Sequence, residues 1–166
     1  MNNRRQFFSS IFGLGSKRSG SNESFSPSLP WFLEENGEKC TNCDDKPCVK
    51  SCSDSIIAVS VSGVPRLDLS RKGCTFCGDC AEACPSVCFE LQDGDNRLDA
   101  SVSIDILGCL AWNGTICYSC VDVCNDKAIK HFGMFHPEID QSACTSCGFC
   151  LGVCPVQTIK IGSSTK

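Results

Sequence analysis

Large side chains are scarce in this 166-residue chain, which has one Tyr, two Trp and only 8% aromatic residues. A chain of this size with so few bulky groups cannot rely on a large apolar core, so something else must supply folding energy. No apolar run approaches the roughly 20 residues that cross a bilayer, which argues against a membrane-spanning helix. Catalytic signatures are missing too. GLGSK at positions 13–17 lacks the G-x4-G-K-[ST] spacing of a phosphate loop, and neither a dinucleotide fingerprint nor a nucleophile elbow is present. No substrate-conversion site is therefore expected. Basic charge is also in short supply: four of the 15 Lys and Arg residues fall in the first 18 positions, leaving 11 against 19 acidic residues in the remainder. An acidic body with a basic tail does not suit nucleic acid.

Cysteine is what the chain has in abundance, with 17 residues, alongside 14 Gly. Sixteen fall into four groups, at positions 40–52, 74–84, 109–124 and 144–154, so the chain is an internal repeat. Group two is Cys74-x2-Cys77-x2-Cys80-x3-Cys84-Pro85 and group four is Cys144-x2-Cys147-x2-Cys150-x3-Cys154-Pro155. Both match the C-x2-C-x2-C-x3-C-P run that wraps three thiolates round one [4Fe-4S] cube and sends the fourth to a neighbouring cube. Gly78 and Gly148, beside the second ligand, leave room for backbone amides near cluster sulfurs.

The other two groups are looser. Group one, Cys40-x2-Cys43-x4-Cys48-x3-Cys52, has two extra residues before Cys48 and Ser53 in place of Pro. Group three, Cys109-x7-Cys117-x2-Cys120-x3-Cys124, carries a long insertion after its first cysteine. Under the crossing pattern the expected quartets are Cys40, Cys43, Cys48 and Cys84; Cys52, Cys74, Cys77 and Cys80; Cys109, Cys117, Cys120 and Cys154; and Cys124, Cys144, Cys147 and Cys150. Zinc is the competing reading, but a third thiolate two residues on has no place in a tetrahedral ribbon site, and only His131 and His136 could supplement it. Cys88 stands outside the pattern and reads as a small buried apolar residue. His131 and His136 read as surface residues of a hairpin, and Trp31 and Trp112 as covers for exposed apolar surface.

Two β-branched stretches, SIIAVSVSGVPRLDLS with a Ser62-Gly63 turn and AIKHFGMFHPEID with Gly133, predict short hairpins between the groups. The expected fold is α+β: two pseudo-symmetric two-cluster ferredoxin-like units, residues 39–100 and 101–166, preceded by a flexible basic arm over residues 1–38. Arg4 and Arg5 followed by Phe7, Phe8, Ile11 and Phe12 superficially suggest a twin-arginine signal, but the apolar stretch is short and no A-x-A site follows. The expected compartment is the cytoplasm, whose reducing conditions favour metal over disulfides. The same apolar face of the arm could dock weakly on a partner or a membrane surface.

The order of these parts, namely the arginine pair, Pro30-Trp31 ahead of the first group, three ferredoxin motifs and the shifted CLAWNGTICYSCVDVC group, resembles the NapF-type ferredoxin family of bacterial periplasmic nitrate reductase systems. The insertion Asp44-Asp45-Lys46-Pro47 departs from that family's tight first motif. The resemblance implies a cytoplasmic accessory protein that interacts with the catalytic molybdenum subunit and helps to mature it before export. A plain soluble electron carrier between redox partners is the alternative.

Overall fold

The computed structural model describes residues 25–92, 94 and 96–164. Its five α-helices are little more than single turns, and each buries one residue, a cysteine. α1 (Gly37–Thr41) buries Cys40, α2 (Pro47–Ser51) Cys48, α3 (Asp79–Glu82) Cys80, α4 (Ser119–Asp122) Cys120 and α5 (Phe149–Val153) Cys150. Helices this short do not persist in isolation, so tertiary contacts around the cysteines must hold them.

Both hairpins form where the sequence expects them. β1 (Ile57–Val59) pairs antiparallel with β2 (Pro65–Leu67), with Ile57 opposite Leu67 and Gly63 in the connection at φ 81°. β4 (Ile129–Phe132) and β5 (Phe135–Ile139) place Ile129 opposite Ile139, with an irregularity at His131/Phe132 next to Gly133 at φ 70°. Two long-range closures have no local sequence signal. β3 (Ser101–Ile104) pairs antiparallel with β6 (Ile159–Gly162), and an isolated antiparallel bridge joins Phe32 to Phe89, whose rings lie 5.5 Å apart at 65°. Mixed short helices and strands of this kind make the fold α+β.

Apolar residues collect in two clusters. One is built on Leu29, Ile56, Leu67, Leu69, Phe89 and Leu98; the other, on Val102, Ile129 and Ile159, is smaller, and Leu151 and Ile161 pack against both. Among the described residues no helix is long and apolar enough to cross a membrane.

Of the arm expected over residues 1–38, the twin arginines and the Phe7, Phe8, Ile11, Phe12 face lie outside the described residues. The part from residue 25 onward is not free. Pro27 and Leu29 are buried, the Pro27 carbonyl accepts the Leu67 N–H at 2.8 Å, and Arg66 holds Glu34 at 2.8 Å with Ser28 between them. Ser- and Pro-rich composition suggests a linker, but Leu29 supplies a buried anchor and the Pro27 carbonyl ties the segment to β2. The residues just ahead of Cys40 are thus part of the packed body.

The two cysteine-rich stretches meet along a tight seam made possible by glycine. A Cβ at Gly152 would stand 2.3 Å from the Arg71 carbonyl oxygen, and one at Gly148, which also needs φ 87°, would stand 2.8 Å from Leu69. Replacing Gly152 with Ala is expected to lower stability by about 1–3 kcal/mol, the usual result of forcing atoms into a filled contact. Gly162→Ala, where nothing lies within 4 Å, should stay within about 0.5 kcal/mol of wild type in the same thermal melts.

Candidate iron–sulfur centres

Four hollows open inside the body, and each is ringed by four of the cysteines. Site 1 is lined by Cys40, Cys43, Cys48 and Cys84; site 2 by Cys52, Cys74, Cys77 and Cys80; site 3 by Cys124, Cys144, Cys147 and Cys150; and site 4 by Cys109, Cys117, Cys120 and Cys154. These are the quartets of the crossing pattern, so the last cysteine of each group turns away from its own loop. Apart from the cysteines the walls are mainly apolar. Zinc would draw four sulfurs to within about 2.3 Å of one point. Among the described residues no group of three or more His, Cys, Asp or Glu is gathered that tightly. Four thiols spaced round a shared hollow, not drawn to one point, instead suit a multi-atom cubane.

A recurrent backbone device aims the fourth cysteine. Three residues after each stands a non-glycine residue in the left-handed region: Ser55 at φ 54°, Val87 at 49°, Lys127 at 52° and Gln157 at 53°. The conformation is disfavoured, most of all for β-branched Val87, and four recurrences mark it as part of the site. In the second half its effect is visible, because the next amide turns back onto sulfur: Ala128 N–H reaches Cys124 Sγ at 3.3 Å and Thr158 N–H reaches Cys154 Sγ at 3.4 Å. Phe76 N–H similarly approaches Cys74 Sγ at 3.5 Å. Amides pointed at sulfur favour thiolate and tune any bound cluster.

The divergent group three is held by its own insertion. Asn113 Nδ2 donates to the carbonyls of Ile106 (3.3 Å), Leu107 (3.1 Å) and Cys109 (2.8 Å), folding the extra residues so that Cys109 faces the same hollow as Cys117. Group one is held by Lys46. Its Nζ donates to the carbonyls of Cys40 and Cys43, each at 2.5 Å, while its backbone adopts φ 43° ahead of Pro47 at the start of α2.

The hollows follow one another in space in an order different from that of the groups in sequence. α2 packs on α3, bringing Cys48 toward Cys80 between sites 1 and 2, and α4 packs on α5, bringing Cys120 toward Cys150 between sites 4 and 3. Across the seam Cys74 N–H donates to the Cys147 carbonyl at 2.7 Å, joining sites 2 and 3.

Burial pushes the free thiols up, with neighbouring cysteines adding to it: Cys74 and Cys120 to about 11, Cys80 and Cys150 to about 12. For Cys154 burial also acts upward, but hydrogen bonds to Thr158 outweigh it and hold this thiol below its usual value.

Some residues stand differently from their sequence reading. Cys88 is buried as expected, at 1% exposure within the larger apolar cluster, and it also lines site 1. His131 is half-buried, stacked on Tyr118 with centroids 4.4 Å apart, and both ring nitrogens lack partners among the described residues. His136 is exposed and lies against Trp112, whose Nε1 donates to the Pro137 carbonyl at 3.2 Å; Trp31 packs edge-on to Phe76. Motif reading gave neither Asn113 nor Lys46 a part in holding a site, although both lie in the insertions that break the regular spacing.

Comparison with known proteins agrees with this chemistry. The family described as "4Fe-4S dicluster domain" matches residues 115–158. The chain is 31% identical over 136 residues to the ferredoxin-type protein NapF of Escherichia coli K12, covering 78% of this chain and 80% of that protein. It is 32% identical over 137 residues to NapF of Haemophilus influenzae (78% and 75%) and 30% identical over 178 residues to NapG of the same organism (91% and 63%). Together the dicluster match and the cysteine-rich chain identify [4Fe-4S] clusters as the cofactor.

Two outcomes are expected. Cys147→Ser should lower iron by about four per chain, whereas Cys88→Ala should leave iron content at the wild-type value, both read by elemental analysis. In iron-free protein the raised thiols stabilise the fold fully below about pH 9 and lose that contribution as pH rises through 11 to 12. Urea midpoints should therefore fall from pH 8 to pH 10.5 without iron and change less with it, because ligated thiols are already deprotonated.

Proposed function

The chain belongs to the ferredoxin-type NapF family, and from that premise we propose that it carries four [4Fe-4S] clusters in two pseudo-symmetric ferredoxin-like halves, residues 39–100, with the packed segment from residue 25 added to them, and residues 101–166. It works in the cytoplasm as an accessory protein. It engages the catalytic molybdenum subunit of periplasmic nitrate reductase and supplies electrons or cluster during maturation before export. It moves electrons and converts no substrate itself.

The observation that carries the reading is the division of sixteen cysteines into four hollows in a row, sites 1-2-3-4, with a backbone hydrogen bond across the middle. Further support comes from repetition. In each half a hairpin separates two cysteine groups, and an antiparallel contact closes the ends, β3 with β6 in the second and the Phe32–Phe89 bridge in the first. The left-handed residue after the fourth cysteine recurs in all four groups. Sixteen thiols are the ligands in this scheme, with Cys109, Cys117, Cys120 and Cys154 brought together despite their irregular spacing.

The same row of sites equally serves a soluble electron carrier working between freely diffusing partners. Iron and acid-labile sulfide counts near sixteen each in anaerobically purified protein are expected, and about twelve would remove one site from the scheme. The two roles separate on binding. Deletion of residues 1–24, which spares the packed Leu29 segment, should weaken capture of cofactor-free catalytic subunit while leaving dithionite reduction unchanged. Normal nitrate reductase maturation in cells lacking the protein would sink the accessory role.

A further inference from the structure

The four hollows differ in the charge that lines them. Site 1 is lined by Lys39 and Lys46; site 2 has Asp54, site 3 has Asp126, and site 4 has no charged side chain among the described residues. Lys46 is the more constrained of the two lysines. It is half-buried, and its ammonium is fixed by two 2.5 Å hydrogen bonds to the carbonyls of Cys40 and Cys43, the loop that would wrap site 1. Lys39 is exposed and screened by water, so its contribution is the smaller. Asp54 is partly offset by Lys72 at 3.2 Å, and Asp126 accepts from Thr145 Oγ1 at 2.6 Å, so neither of those sites gains positive charge.

Reduction of a cluster adds one electron to the four-iron core and breaks no bond, so the reduced form is the more negative of the two. A positive charge held a few ångströms away therefore favours reduction, and it does so strongly where the surroundings exclude water. From this we propose that the Lys46 ammonium, with a lesser share from Lys39, makes the Cys40, Cys43, Cys48, Cys84 site the most easily reduced of the four, so that electrons entering from a one-electron donor collect at the N-terminal end of the row. The inference rests on the four-cluster reading above. The Asp44-Asp45-Lys46-Pro47 insertion places this cation in the ligand loop, while its two carboxylates, Asp44 and Asp45, are exposed to water and Asp45 pairs with Lys50 at 3.6 Å.

Cys88 lines the same hollow and is almost fully buried, with Sγ directed toward the Ser86 carbonyl at 3.8 Å. It brings a neutral thiol, not a charge, and the ordering of potentials does not depend on it.

The test is an EPR-monitored dithionite titration of full-length, iron-loaded protein, with iron and sulfide counted in every sample. Cys43→Ser identifies the site 1 signal by its disappearance. In wild type that signal is expected to appear first as the potential falls. In Lys46→Gln, with iron content unchanged, it should move to a more negative potential while the other signals stay in place, and Lys46→Arg, which keeps the charge, should restore it. A site 1 signal that appears after the others in wild type, or that does not move in Lys46→Gln at full iron content, overturns the proposal. If Lys46→Gln loses iron, the wild-type order and Lys39→Gln decide instead. A wild-type count short by one cluster, with Cys43→Ser changing neither count nor spectrum, would instead overturn the four-cluster reading.

Discussion

Everything in this structure depends on keeping four thiols apart round each of four hollows. Buried thiols left without iron are held protonated by desolvation and by one another, which is why their pKa values rise to about 11 or 12. Iron binding must displace those protons, and the iron–thiolate bonds outweigh that cost. A metallo-domain with a small core takes much of its folding free energy from its metal. The helices show the same dependence, since each is too short to stand alone and each buries only the cysteine it carries.

The seam where residues 69–74 meet residues 147–152 brings the two inner hollows side by side. Glycines at 148 and 152 let α5 approach Leu69 and the Arg71 carbonyl, and Cys74 and Cys147 then meet through their backbones. Without that approach side chains would separate the inner hollows. The outer hollows, sites 1 and 4, are the ones whose groups depart from regular spacing, and each departure brings a side chain that anchors its loop: Lys46 in one, Asn113 in the other.

Much of the site was legible in the chain itself, because a ligand loop is a local object. Three thiols at two-residue gaps can wrap one cube with no help from distant residues, so Cys74, Cys77 and Cys80, or Cys144, Cys147 and Cys150, could be read directly. The hairpins around Gly63 and Gly133 were local in the same sense. The end of the arm was misplaced because composition averages over residues, whereas one well-placed Leu29 decides whether a Pro- and Ser-rich segment is anchored.

By itself the sequence determined the cysteine groups, the hairpins and the chemistry of the ligands, all of which rest on contacts within about a dozen residues. Only the tertiary structure decided the pairing of β3 with β6, the spatial order of the hollows, the placing of Cys88 and Lys46 in site 1 and the half-burial of His131. The reason is sequence separation. A pairing such as Val102 with Ile161, or a backbone bond such as Cys74 to Cys147, leaves no periodicity in either segment, and forms only when apolar burial and close glycine packing bring distant stretches together.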